Sequence, residues 1–345
     1  MRIPLALTAL VAGATVLALA GCTQADTPAP AAKTSDGAFT LYSGRDEALV
    51  QPLIDQFEEQ SGISVDVRYG NTAELGALLL EEGDATPAQV FLAQDAGALG
   101  ALANADLFAT LPAKTTDAVP AGFTSTDDTW VGVTGRARVI TYDSQAMSAA
   151  DVPTSVDAFT DPAWAGKFGI APTNASFQAF VTAYRVLNGE EAADEWVKAI
   201  AANDPVIFDN NRAILAAVND GVIQAGLINH YYWFAQAAET GAANMRAQLS
   251  YPEAGDAGSI VNVTGAGLLN GAAEDADALK FIDYLVGAEA QQYFVDETFE
   301  YPLIAGIDAP AGLPELDSLV NPNLDLADLE TLEETQTLLS THGLI

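Results

Sequence analysis

Between Phe39 and Leu92 the chain switches repeatedly between an apolar period of two and one near 3.6, and this alternation constrains the fold most. Phe39-Thr40-Leu41-Tyr42-Ser43-Gly44 alternates as a strand and ends in a glycine turn. From Glu47 to Gln60, residues Leu49, Val50, Leu53, Ile54 and Phe57 fall at three-and-four spacing, which predicts an amphipathic helix stopped by Ser61-Gly62. Ile63 to Tyr69 alternates again, Thr72 to Glu82 returns to helical spacing, and Gln89 to Leu92 is a short apolar strand. Strands separated by helices pair in parallel through right-handed crossovers. Ligands on such sheets bind beyond the carboxyl ends of the strands, so the turns Ser43–Asp46 and Ala93–Gly97 are predicted to face a site.

A second α/β unit follows. Residues 130–142 predict a long strand that passes between two lobes, and the stretch Ser259–Leu269 predicts another that carries the chain back. Between them lie strands at 168–170, 206–208 and 223–228 and helices at 177–187, 192–201 and 211–220; helices at 276–286 and 289–295 follow. The expected organisation is one lobe from 38–138 with 262–312, a second from 139–261 with 313–345, and a cleft between them. The hinge is expected in Thr134–Tyr142 and Val261–Gly267.

Composition narrows the partners. Against 13 Lys and Arg stand 47 Asp and Glu, a net charge of −34, which handicaps binding to nucleic acid or acidic lipid. A single cysteine excludes an intramolecular disulfide and a multi-thiolate metal site, and two histidines leave little room for a zinc enzyme. That cysteine ends the string Leu19-Ala20-Gly21-Cys22, after Met1-Arg2 and a nearly uninterrupted apolar stretch. The pattern reads as an export signal over residues 1–21. Its end resembles the bacterial lipobox, which implies acylation at Cys22 and attachment to the outer face of the cell membrane by the lipid alone. Residues 22–37, rich in Thr, Ala, Pro and Asp, read as a flexible tether.

The densest chemical signal is Leu227-Ile228-Asn229-His230-Tyr231-Tyr232-Trp233-Phe234, where a strand gives way to a helix. At a helix start, neighbouring side chains diverge by about 100°, so two tyrosines can reach one cleft from one turn. Paired phenols suit a hard, highly charged cation, which would drive a group of pKa about 10 to phenolate at neutral pH. An aromatic core run and an aromatic cage for an organic ammonium ion are the competing readings.

The chain resembles the ferric-ion-binding proteins, the substrate-binding components of iron(III) ABC importers. The resemblance is carried by Leu41-Tyr42-Ser43-Gly44-Arg45-Asp46, Val90 to Leu99, Gly135-Arg136-Ala137-Arg138-Val139, Ala171 to Phe177, Asn229 to Trp233 and Glu300-Tyr301-Pro302-Leu303. It implies a two-lobed α/β fold of the type II periplasmic-binding-protein kind, with mostly parallel sheets. It also implies a monomeric receptor that hands ferric iron to a membrane permease and its ATPase. Tyr231 and Tyr232 are implied as iron ligands, with Asp46 and Gln94 standing where relatives often carry a histidine and a glutamate. Asp95 reads as a helix cap instead.

A synergistic anion (phosphate, carbonate or citrate) is expected to complete the site. The loop Thr173–Ser176 offers backbone N–H groups at a helix start, with Asn174, Ala175 and Ser176 around the anion. Asn211 and Asn229 match polar positions of that site, and Arg45, Arg136 and Arg138 are the candidate positive charges. The plainer reading of Arg136 and Arg138 is ion pairing across a strand. His230 is read as a polar supporting or surface residue, Tyr301 as packing, and Trp130, Trp164 and Trp196 as core or lobe-edge aromatics. The acidic run Asp325–Glu334 is expected as a solvated helix face. No nucleophile elbow, phosphate-binding glycine loop or paired-cysteine motif occurs, so no enzymatic activity is expected. The alternative within the same fold is a receptor for a phosphonate, thiamine or a polyamine.

Overall fold

A computed structural model describes residues 35–321 and 323–345; the expected export segment, most of the tether and Cys22 lie outside the described residues. The chain runs β1 (Ala38–Ser43), α1 (Glu47–Ser61), β2 (Ser64–Tyr69), α2 (Thr72–Glu82), β3 (Val90–Ala93), α3 (Ala96–Asn104) and a short α4 (Ala113–Thr116). It continues through β4 (Trp130–Asp143), β5 (Phe168–Ile170), α5 (Ala175–Asn188), α6 (Glu190–Ala202), β6 (Val206–Ile207), α7 (Asn211–Asn219), β7 (Ala225–Asn229) and α8 (Tyr231–Thr240). The last elements are β8 (Ala247–Ser250), β9 (Val261–Leu268), α9 (Ala276–Leu285), α10 (Ala288–Tyr293), β10 (Tyr301–Pro302), α11 (Leu316–Leu319) and α12 (Leu332–Thr341). Among the described residues no helix is long and apolar enough to cross a membrane.

Local chemistry sets the helix starts. The carboxylate of Asp46 accepts from Ala48 N at the head of α1, Asn71 caps α2, Asp95 caps α3, Asn174 caps α5 and Asn210 caps α7. At its other end α1 stops at Gly62, whose φ of 71° is a left-handed conformation open to glycine. Its inward face buries Val50, Leu53, Ile54 and Phe57, and Phe57 packs edge-on against Phe281 of α9 at 5.1 Å between ring centroids. Trp130 and Trp196 are buried as core aromatics, and Trp164 packs on Phe159 at 4.8 Å.

The sheets are organised around β4. Strands β2, β1 and β3 are parallel, β9 lies antiparallel beside β3, and the first half of β4 pairs antiparallel with β9 and with β10. Ala137 is opposite Val261 of β9, but Arg138 is opposite Asn229 of β7. From that point β4 belongs to a second set, antiparallel to β7 and β8, with β5 parallel to both β7 and β6. One continuous strand thus carries the chain from the first lobe's sheet into the second's, and every residue of it is buried.

The acidic run departs from the expectation of a solvated helix. It is broken into a 3₁₀ turn at Leu326–Glu330 and the start of α12, and Leu326 and Leu329 are buried. The turn packs on α3 and α5, elements on either side of the β4 crossing. Gly97 of α3 admits it: a Cβ there would lie 2.8 Å from Leu329 O. Apolar residues within the charged run, not its net charge, decided its placement.

Candidate functional site

A cleft of about 390 Å³ opens where the turn after β1, the turn after β3 and the first turns of α1, α2, α5, α7 and α8 converge. A larger groove of about 550 Å³ lies between α2, α3 and the C-terminal segment, lined by alanine, leucine and glutamate side chains without any aromatic pair or arginine. The chemistry is in the first cleft.

One wall begins where β7 ends. His230 enters α8 in helical conformation and gives no side-chain cap, and Tyr231 and Tyr232 follow at once. Their rings do not diverge: they stack, with centroids 4.2 Å apart and planes 29° from parallel. Tyr232 lines the cleft, while Tyr231 lies beneath it at 2% exposure, with the guanidinium of Arg45 5.9 Å from its ring. Burial, then the neighbouring Tyr232, pushes the Tyr231 phenol well above its ordinary pKa, against the pull of Arg45 and Arg136. His230 is fully buried, so the surface alternative for it fails. Ala137 N donates to its Nδ1 at 3.1 Å, and its Nε2 sits 2.9 Å from Phe299 O. Burial lowers its pKa to about 4, so the ring is neutral and both nitrogens are committed to backbone groups.

Behind the tyrosines, the residues expected around an anion are brought together, but largely to bind one another. Arg138, 2% exposed, sends Nη1 toward Ser176 Oγ (3.2 Å), Asn211 Oδ1 (3.3 Å) and Asn229 Oδ1 (3.5 Å), and Nη2 to Leu227 O (2.9 Å). Asn211 donates to Ser176 Oγ, and Asn174 Oδ1 accepts from both the backbone N–H and the hydroxyl of Ser176. The Ser176 N–H is therefore already capped, and of this group Asn174 and Ala175 are the ones that line the cleft. Burial lowers the Arg138 pKa to about 9, and the nearby Tyr232 opposes that shift. Neither Arg136 nor Arg138 takes part in an ion pair among the described residues, so the cross-strand pairing expected as their plainer role does not form.

Arg45 forms the floor. It is 2% exposed, and its Nη2 pairs with Glu300, whose second oxygen accepts from the Thr134 hydroxyl. Burial works against its charge, but Glu300 and Tyr231 outweigh burial and raise the pKa. Its Nε and Nη1 have no partner among the described residues. Arg136 is buried too, with one bond from Nη2 to Val263 O, and it does not line the cleft. An unmet buried donor costs about 1–3 kcal/mol, so the three N–H groups on Nε and Nη1 of Arg45 favour any acceptor that reaches them.

The facing wall is built from the strand-end turns. Thr72, buried at the head of α2, donates its hydroxyl to Gly44 O (3.1 Å) and accepts from Gln94 N (3.1 Å), so one side chain ties the turn after β1 to the turn after β3. A Cβ at Gly44 would lie 2.0 Å from that hydroxyl, which is why this turn needs glycine. Asp46 and Gln94 both line the cleft; Gln94 Nε2 is buried without a partner among the described residues. Asp95 caps α3 through Ala98 N, and burial pushes its carboxyl up to about 6 against the charge of Arg136. Residues not picked out from the sequence also line the cleft: Glu47, Tyr69, Asn71, Asn210 and Arg212. The strand-end rule was the available signal for Tyr69, which closes β2. Among the described residues no group of three or more His, Cys, Asp or Glu could hold a metal.

The sequence over residues 85–325 matches the family described as "Bacterial extracellular solute-binding protein". The chain belongs to this family. It is 33% identical over 315 residues to the Fe(3+)-binding periplasmic protein of Serratia marcescens, covering 91% of this chain and 93% of that one. It is 32% identical over 311 residues to the major ferric iron-binding protein of Neisseria meningitidis serogroup B, covering 89% and 93%. The structure of iron-bound HitA from Pseudomonas aeruginosa superposes with a TM-score of 0.84 at 31% identity, over 89% of this chain and 99% of that one. A Trichodesmium protein solved with iron and citrate ligands gives 0.74 at 27% identity, over 90% and 100%. The expected type II periplasmic-binding-protein fold and the resemblance to ferric-ion-binding proteins therefore hold, and the two curated relatives are named as iron-binding proteins.

Proposed function

We propose that this protein is the receptor of an ABC importer that captures ferric iron outside the cytoplasm and releases it to a membrane permease with its ATPase. The observation that carries the reading is the stacked pair Tyr231 and Tyr232, the outer ring opening on a cleft whose facing wall presents Asp46 and Gln94. Two phenolates and a carboxylate are hard oxygen donors suited to a trivalent ion, and Gln94 adds a neutral oxygen. Tyr231 must lose its proton and its cover to bind, so capture requires the lobes to part and close again about β4. A small oxyanion, such as phosphate, carbonate or citrate, completes the charge balance against the unmet N–H groups of Arg45, with Asn174 and Ala175 beside it. Asn211, Asn229, Ser176 and Arg138 support that site from behind rather than touching the anion. The remaining parts of the proposal are a lipid anchor at Cys22, monomeric action, and lobes formed by 38–138 with 262–312 and by 139–261 with 313–345.

Titration of the purified protein with a soluble ferric chelate tests the reading. The expected result is a visible phenolate-to-iron charge-transfer band that disappears in the Tyr231→Phe, Tyr232→Phe double variant. Absence of colour, together with tight calorimetric binding of a phosphonate, thiamine or a polyamine, would replace iron by an organic solute.

A further inference from the structure

We propose that Arg212 couples anion binding to metal binding: it is the exchangeable cation of the cleft, held by Asp46 when no anion is present and transferred to the anion when one enters. The inference rests on the metal-and-anion reading above and assigns a residue that reading does not use.

Arg212 stands in the first turn of α7, where the exposed N–H groups already carry partial positive charge and a cation is disfavoured. No acidic residue shares that turn, so the helix itself gives no reason for an arginine there. Its partner lies on the other wall. Nη2 is 3.9 Å from Asp46 Oδ2, and the guanidinium carbon is 5.9 Å from the centre of the Tyr232 ring. Arg212 therefore neighbours both the aromatic ring and the carboxylate proposed to share one ion.

The pair is loose. Its side chains are 61% and 53% exposed, and ion pairs of that kind contribute little to stability and exchange readily. The buried arginines differ: Arg45 is fixed by Glu300, and Arg138 by Leu227 O and the Ser176, Asn211 and Asn229 side chains. The cleft is thus lined by one fixed arginine, Arg45, whose Nε and Nη1 are buried without partners among the described residues, and one exposed arginine, Arg212.

Coulomb's law then fixes the sign of the effect in each state. Without an anion, Arg212 repels an arriving trivalent ion and competes for Asp46. With an anion bound, the guanidinium has a negative partner, releases Asp46 to the metal, and stabilises the loaded cleft. A residue that opposes the metal in one state and supports it in the other is a source of coupling between the two ligands.

The test compares the wild-type protein, Arg212→Gln and Arg212→Lys. Apparent ferric affinity is measured by competition against a fixed chelator, with and without excess inorganic phosphate or citrate. In parallel, phosphate and citrate are titrated calorimetrically into metal-free protein. The expected result is an anion enhancement of ferric affinity about tenfold smaller in Arg212→Gln than in wild type, partly restored in Arg212→Lys. Without anion, Arg212→Gln is expected to bind iron at least as tightly as wild type. In the metal-free titration, Arg212→Gln is expected to bind at least one of the two anions several-fold more weakly. Equal enhancement in wild type and Arg212→Gln overturns the proposal, as does failure of wild type to bind either anion. If wild type binds an anion but no iron, the metal reading fails, and the metal-free titration still decides whether Arg212 holds the anion.

Discussion

The two walls of the cleft differ in how much of their order is fixed before any ligand arrives. On the wall built by β7, α5, α7 and α8, Tyr231, Arg138, Asn211, Asn229 and Ser176 are each less than a tenth exposed, and Arg138 links Ser176 and both asparagines. On the facing wall Asp46 is exposed, its carboxylate serving as a helix cap and facing Arg212 at 3.9 Å, while the Gln94 amide nitrogen lacks a partner among the described residues. The first wall meets its organisational cost during folding. On the second, Asp46 and Gln94 are left for a ligand to order, as the proposed receptor function requires.

The most severe test removes the preformed half-site. Tyr231→Phe with Tyr232→Phe is expected to lower ferric affinity on the order of a thousandfold or more, beyond the 10–100-fold typical of losing a supporting partner. Competition titration and the visible band measure it together. Retained affinity would mean the two walls have been assigned the wrong way round.

Next comes Arg138→Met, which leaves Asn211 Oδ1, Asn229 Oδ1 and Leu227 O without their guanidinium donor. The expected loss is about 2–3 kcal/mol, a fall in Tm of roughly 3–5 °C by thermal unfolding. An unchanged Tm would show that the network does not lock its wall.

The seam behind the tyrosines gives a pH test. His230 has its pKa lowered from 6.5 to about 4, so the unfolded chain takes up this proton before the folded one does. Its contribution is full above about pH 6.5 and is lost as pH falls toward 4, on the order of 3 kcal/mol in all. Asp95, pushed up to about 6, has the opposite sign, because the folded state binds its proton first and gains stability as pH falls from about 6 toward 4. The difference between wild type and His230→Gln in denaturant unfolding at pH 7 and pH 5 isolates the histidine. A difference independent of pH would rule out a buried neutral ring.

The smallest effect is expected on the open wall. Asn caps a helix as well as Asp, so Asp46→Asn should leave Tm within about 1 °C. Ferric affinity should drop about tenfold, since one charge of the proposed ligand set is gone. A large loss of stability with no change in affinity would make Asp46 structural.

Much of this architecture could be read in the sequence from short-range rules. Apolar spacing marked α1 and α2, and the stop at Gly62 and the caps at Asp95 and Asn174 are satisfied within a few residues. The aromatic run after Asn229 flagged the start of α8 for the same reason. The roles of polar residues were harder to read. Arg138, Ser176, Asn211 and Asn229 were expected around an anion and lie in hydrogen-bond reach of one another, but whether such side chains face a ligand or each other depends on partners 38 to 91 residues away. Arg212 escaped notice because what distinguishes it is its neighbours, Asp46 and Tyr232, both distant in the chain. Tyr231 was expected to share the cleft with Tyr232; stacking placed one ring over the other instead.

By itself the sequence determined the alternating α/β elements, the positions of the strand-end turns and the location of the phenols. These follow from hydrogen bonding and apolar burial within a helix turn or a strand, where the chain's own geometry sets the distances. The tertiary structure alone decided that β4 changes partners between Ala137 and Arg138, which arginines are buried, and that Arg212 lies exposed beside Asp46. Charge and desolvation act through space, so the same residue type becomes a buried scaffold at position 138 and an exposed partner of Asp46 at position 212 according to what the fold brings beside it.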